Sequence, residues 1–179
     1  MKRSLLILPL LLLFLASGLK VSAQDISTSP AVLNVEYTLP YPGILPDNPL
    51  YFLKALRDNV QNLLITDPVQ KSTYDLLMAD KRLGAADDLL SKGKVDLAIT
   101  TLLKSGNYFD LAIQQAATAK TQGTNVNDLL GRLRTASLKQ QQVIFTMEQD
   151  AKGDTRLVLQ SSQKRAEDFQ NSVEELMPK

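Results

Sequence analysis

The sequence predicts an all-α fold: an antiparallel up-and-down bundle of four to five long helices, preceded by an extended Pro-rich arm. Three observations predict it. Apolar residues recur at alternating steps of three and four through nearly all of residues 49–177. Helix stop and start signals (Asn48-Pro49, Asp67-Pro68, Gly93, Gly123, Gly153) interrupt that pattern every 20 to 30 residues or about so. Pro30, Pro40, Pro42 and Pro46 crowd the segment ahead of it, where they forbid helix and favour extended backbone.

The chain divides into a signal peptide over 1–23, the arm over 24–48 and the helical domain over 49–177. Lys2 and Arg3 form a short positive region, Leu5 to Leu15 an apolar run interrupted by Pro9, and Val21-Ser22-Ala23 a small-residue cleavage site before Gln24. The apolar run is shorter than the roughly 20 residues that span a bilayer. The expected location is extracytoplasmic, periplasmic or secreted; an uncleaved N-terminal membrane anchor is the alternative. No cysteine follows the signal, so lipid attachment there is excluded. No later segment is apolar enough to insert into a membrane. Removing the signal, with its three basic residues and no acid, turns the formal charge from +1 to −2. That small negative balance offers no basic face for nucleic acid.

Within the arm, Val35, Tyr37, Leu39 and Tyr41 alternate with Glu36, Thr38 and Pro40. This period places one apolar edge on an extended segment, to pack on the helices or to dock on another chain. Gly43 after Pro42 fits a tight turn with positive φ. The first helix is expected over Pro49–Ile65, with Asn48 as N-cap and Pro49 at the next position. Its apolar positions are Leu50, Leu53, Leu56, Val60, Leu63 and Leu64, and Leu50 and Leu53 are expected to face the core. As the shortest helix it would pack across or alongside the others.

The second helix runs from Pro68 to about Ser91, capped by Asp67, with a seven-residue repeat of Val69, Leu76, Leu83 and Leu90. Lys92-Gly93-Lys94 ends it. The third carries the stripe Val95, Ile99, Leu102, Gly106, Phe109, Ile113, Ala116, in which Gly106 is expected to permit a close helix approach or a kink. Gly123 closes it. Asn125 can cap the fourth helix, with the stripe Leu129, Leu133, Ala136, Gln140, Val143, Met147. Gln140-Gln141-Gln142 is expected as a solvated face, with a buried register device as the other reading. Gly153-Asp154 repeats the stop-and-cap signal, and the fifth helix is expected over Thr155–Leu176. Met177-Pro178-Lys179 should fray. Short connections make neighbours antiparallel.

Composition removes most chemistries. The chain has no Cys, no His and no Trp. No imidazole base can activate a nucleophile, and nitrogen- or sulfur-ligated metal sites cannot form. Acids are the remaining catalytic or metal-binding type. Asp87-Asp88 is the closest pair, but adjacent helical residues point about 100° apart and do not converge. Lys81-Arg82 and Lys164-Arg165 read as surface ion-pair partners. No cofactor, metal site or catalytic residue is expected. The residues singled out as an arm clamp or a docking site are Tyr37, Tyr41, Pro42, Gly43, Pro46, Tyr51 and Phe52.

Three stretches carry a resemblance: Leu39-Pro-Tyr-Pro-Gly-Ile-Leu-Pro-Asp-Asn-Pro-Leu-Tyr-Phe-Leu-Lys54, then Thr66-Asp-Pro68, then Ala79-Asp-Lys-Arg-Leu-Gly-Ala-Ala86. Over about residues 37–120 the chain resembles the bacterial exported family catalogued as domain of unknown function 5667. Gly84 departs from the Ala or Glu of the family pattern. The resemblance implies a helical extracytoplasmic module and brings no catalytic residue with it. The expected function is therefore non-enzymatic: interaction or scaffolding in the bacterial cell envelope, with another envelope protein as the candidate partner. The alternative is a periplasmic holdase-type chaperone or stress adaptor. An acid-dependent hydrolase is the remaining rival and would need a convergent, desolvated carboxylate pair.

Overall fold

The computed structural model describes residues 34–178; the expected signal peptide and the first part of the arm lie outside the described residues. Among the described residues there are five α-helices and no strand: α1 (Tyr51–Leu64), α2 (Pro68–Ser91), α3 (Val95–Thr121), α4 (Asn127–Gln149) and α5 (Gly153–Leu176). The bundle core consists of four of them, α2 to α5. Helices consecutive in the chain run antiparallel, and the α2–α3 and α4–α5 hairpins make the most extensive contacts. The hairpins are laid together with α3 against α5 and α2 against α4. Lys120 near the end of α3 donates to the Leu176 carbonyl at the end of α5, so these two helices run parallel.

Sequence chemistry accounts for each boundary. The Asp67 side chain accepts from the Gln70 N–H at 2.8 Å and Pro68 opens α2, which satisfies one helix donor and spares another. Gly93 ends that helix at φ 72°, while the Gly93 and Lys94 N–H groups return to the Leu90 and Leu89 carbonyls. The start of α1 departs from expectation by two residues. Asn48 accepts from the Leu50 N–H at 2.8 Å, and this side-chain turn holds Pro49 and Leu50 outside the helix. Asn125 uses the same device on Asn127. At α5 the helix begins at Gly153 itself, two residues early, and no side chain caps it.

The core holds Leu76, Leu83, Phe109, Leu130, Leu133, Ile144, Leu159 and Val173. Phe109 of α3 stacks on Phe169 of α5, centroids 4.7 Å apart. Ala79 and Ala86 on α2 face the α3 side of the core with Ala112, Ala116 and Ala119, small residues that let the helices approach closely.

Two polar expectations are corrected by this packing. Gln140 and Gln141 are buried: Gln140 approaches the Ser105 hydroxyl, and Gln141 donates to the Ala166 carbonyl and to Gln170. The run is not a solvated face, because α4 is turned so that consecutive glutamines reach different neighbouring helices. Gly106 makes room for Arg165 rather than for a helix backbone or a kink. A Cβ there would lie 2.8 Å from the Arg165 guanidinium, which bonds Asn107 at 2.9 Å and pairs with Asp110.

Candidate interaction face

The arm is an extended segment held on the helices by four sets of polar contacts. The Val35 N–H donates to the Gln142 side chain at 3.3 Å. The Tyr37 hydroxyl donates to the buried Asp80 carboxylate, and Tyr37 and Leu39 pack against the core. The Lys54 ammonium donates to the Pro42 carbonyl at 2.5 Å and to the Ile44 carbonyl at 3.4 Å. Lys92 and Lys94 reach Asp47 at 3.7 and 3.0 Å, tying the turn to the end of α2. Gly43 holds φ 74° in that turn. Pro42, Gly43 and Pro46 are half-buried there, whereas Tyr41 breaks the alternation and stands 83% exposed.

Of the two aromatics placed at the start of α1, Tyr51 is half-buried with Lys54 5.7 Å over its ring, and Phe52 is exposed. Neither sequence position announced Lys54, the residue that meets the arm turn. Its signal was available in principle: it lies one helical turn past Leu50, on the side opposite Leu56 and Leu63.

The expectation that Leu50 and Leu53 face the core is overturned. Leu50, Phe52, Leu53, Leu56, Val60, Leu63 and Leu64 are each half or more exposed, up to 82% at Leu63. Within α1 these side chains fall in an arc of about 120° at 100° per residue. The opposite side is polar and points inward. Asp58 is buried and paired with Arg57 at 2.8 Å; Tyr74 of α2 donates to the Asp58 carbonyl at 2.7 Å; Lys71 bonds Asn62. The physical reason is partner availability. The face of α2 beneath α1 presents Lys71 and Tyr74, which need acceptors, so α1 turns its polar stripe down and its apolar stripe out. Among the described residues, the other exposed large apolar side chains are Tyr41 and Ile44 in the arm turn and Leu77, Leu103, Leu111 and Leu157, spread over α2, α3 and α5; of these only Tyr41 and Leu157 are more than half exposed.

Electrostatics follow the same geometry. Burial pushes the Asp80 carboxyl up to about 6, partly opposed by the Tyr37 hydrogen bond and by Arg132. Burial also raises Tyr37, reinforced by its bond to Asp80. Tyr74 is pushed up to about 12, by burial first and the Asp58 charge second. Asp75 is buried with both carboxylate oxygens unpartnered, and burial raises it. Asp75 and Asp80 are five residues apart on α2, about 140° around it, so they do not form a shared acid pair. Burial lowers Lys54, while Arg82, Lys81 and Arg57 add to that and Asp58 opposes it. A cleft of about 460 Å³ lies beside Lys54, walled by Tyr41, Pro42, Ile44 and Leu53 and edged by Arg57 and Lys81. No group of three or more acids among the described residues is placed to hold a metal ion, and no described helix is long and apolar enough to cross a membrane.

These features define a class: a four-helix bundle with an extended arm laid on it and a fifth, amphipathic helix whose apolar stripe points outward. Residues 43–176 match the family described as domain of unknown function (DUF5667), and the chain belongs to that family. The match spans all five helices, well past residue 120 where the sequence resemblance fades, and begins after Tyr37 and Leu39. No curated protein and no solved structure matches the chain.

Proposed function

We propose that this protein is a non-enzymatic, exported module that acts by interaction or scaffolding in the cell envelope, with α1 and the arm turn as its docking face. The observation that supports this most is the outward stripe from Phe52 to Leu64. Six side chains at this exposure present on the order of 700 Å² of apolar surface, above the roughly 300–600 Å² of the largest patch on an ordinary monomer. Export rests on the positive, apolar and small-residue succession of residues 1–23. The Lys54 and Asp47 contacts of the arm turn serve as the clamp on α1, and Tyr37 holds the arm upstream of it on α2.

The test is a photo-crosslinking residue placed at Leu56 or Leu63 of the full chain in its native envelope. Adducts from both positions, and none from the exposed position Lys164, are expected. No adduct from either position would overturn the reading. A holdase role draws on the same stripe. It would be favoured if the protein suppresses aggregation of an unfolded test protein and Leu56→Glu abolishes that suppression.

A further inference from the structure

We propose that the occupant of the α1 face is a second copy of this chain, joined to the first through a parallel pair of α1 helices. This rests on α1 being the docking face. Leu53, Leu56, Val60 and Leu63 follow steps of three, four and three, the spacing of a two-stranded seam. Leu53 and Val60 take one core position of that seam, Leu56 and Leu63 the other. A branched residue such as Val60 at the first and leucine at the second is the combination that favours two parallel strands.

The flanking positions agree. In a parallel pair, Phe52 faces Arg57 of the other copy, and Asn59 faces Leu64. No like charges meet, and the guanidinium lies beside an aromatic ring. The area also agrees: on the order of 700 Å² of exposed apolar side chain compares with roughly 800 Å² buried per partner in a stable interface. Geometry permits the approach, because Asp58 and Asn62 attach α1 to its own bundle on the side opposite the seam. Each bundle then sits outside the helix pair. A free peptide of two heptads would be a marginal helix. Here each α1 is already folded on its bundle, which removes the ordering cost from pairing.

Sedimentation of the full chain across a concentration series tests this. A dimer is expected, and Leu56→Glu with Leu63→Glu should weaken it by about 100-fold or more, with the thermal transition unchanged at dilutions where both chains are monomeric, since both positions are solvent-facing in one copy. The chain has no cysteine, so Val60→Cys introduces a lone thiol. Mild oxidation should link it to its counterpart, while Lys164→Cys should stay unlinked. A monomer at high concentration, a dimer indifferent to the two glutamates, or a dimer that Val60→Cys does not link would overturn the proposal. So would a monomer that binds phosphatidylglycerol vesicles through α1. A monomer that still gives a residue-56 adduct with another envelope protein sinks the pairing and leaves the docking face intact; a monomer with no adduct sinks both.

Discussion

Two helices of this protein carry the same leucine spacing and bury opposite faces. On α2, Leu76 and Leu83 lie seven apart and are almost wholly excluded from water. On α1, Leu56 and Leu63 lie seven apart and are 60% and 82% exposed. The difference lies in what each helix is laid against. Around α2, Ala and Leu residues of α3 and α4 offer apolar surface. Beneath α1, Lys71 and Tyr74 offer donors, and Asp58 and Asn62 answer them. An amphipathic pattern therefore states that a helix has an oily face, and its neighbours decide which way that face turns.

The sharpest way to break this comparison is truncation on each side. Phe109→Ala, at the stacked centre of the bundle, should cost about 3–5 kcal/mol. Leu63→Ala should change the stability of the single copy by no more than about 0.5 kcal/mol. Denaturant titration in dilute solution reads both. Equal costs would mean that α1 is a core helix after all.

A smaller effect concerns the acid beneath the arm. Because the folded Asp80 value of about 6 lies above its ordinary 3.8, the folded chain holds a proton there that the unfolded chain has released. The associated stability is full below the ordinary value and is lost as pH rises through about 6. Asp75, raised by burial, acts in the same direction. Asp80→Asn keeps an acceptor for Tyr37 and removes the buried charge. It should stabilise the chain at neutral pH by on the order of 2 kcal/mol and flatten the slope of stability between about pH 4 and 6. A slope unchanged by this substitution would contradict the assignment.

Tyr37→Phe leaves Asp80 without its hydroxyl partner. It should cost about 1–2 kcal/mol and speed amide exchange at Val35 and Tyr37 while sparing α1. The smallest effect is at Gly106. Alanine gains about 1 kcal/mol of helix propensity but displaces the end of Arg165, so the net change should stay within about 1 kcal/mol. In the Gly106→Ala background, Arg165→Ala should then cost almost nothing, which a double-mutant cycle measures.

Much of the fold was legible because local chemistry decides it. Asp67-Pro68 starts α2 and Gly93 ends it through bonds that need only neighbouring residues. The stripes of α3, α4 and α5 could be read from spacing, since their leucines, alanines and Phe109 bury against one another. What could not be read depends on partners distant in sequence. Gln140 is polar on an apolar stripe, yet Ser105 meets it from α3. Gly106 gives no hint that Arg165, on another helix, will occupy its side. Of the arm residues singled out in advance, Tyr37 reaches the core and Asp80, and Pro42 and Gly43 form the turn that Lys54 holds. Tyr41 and Phe52 stand in solvent. The direction of α1 was the largest departure, and it came from Lys71 and Tyr74, which the leucine pattern does not contain.

The most direct test of that direction is thiol labelling of single-cysteine chains at nanomolar concentration, where copies stand apart. Leu56→Cys and Leu63→Cys should react nearly as fast as a free peptide, and Leu83→Cys should react only on unfolding. Slow labelling at 56 and 63, with fast labelling at Asn62→Cys, would place the apolar stripe against the bundle and contradict the account.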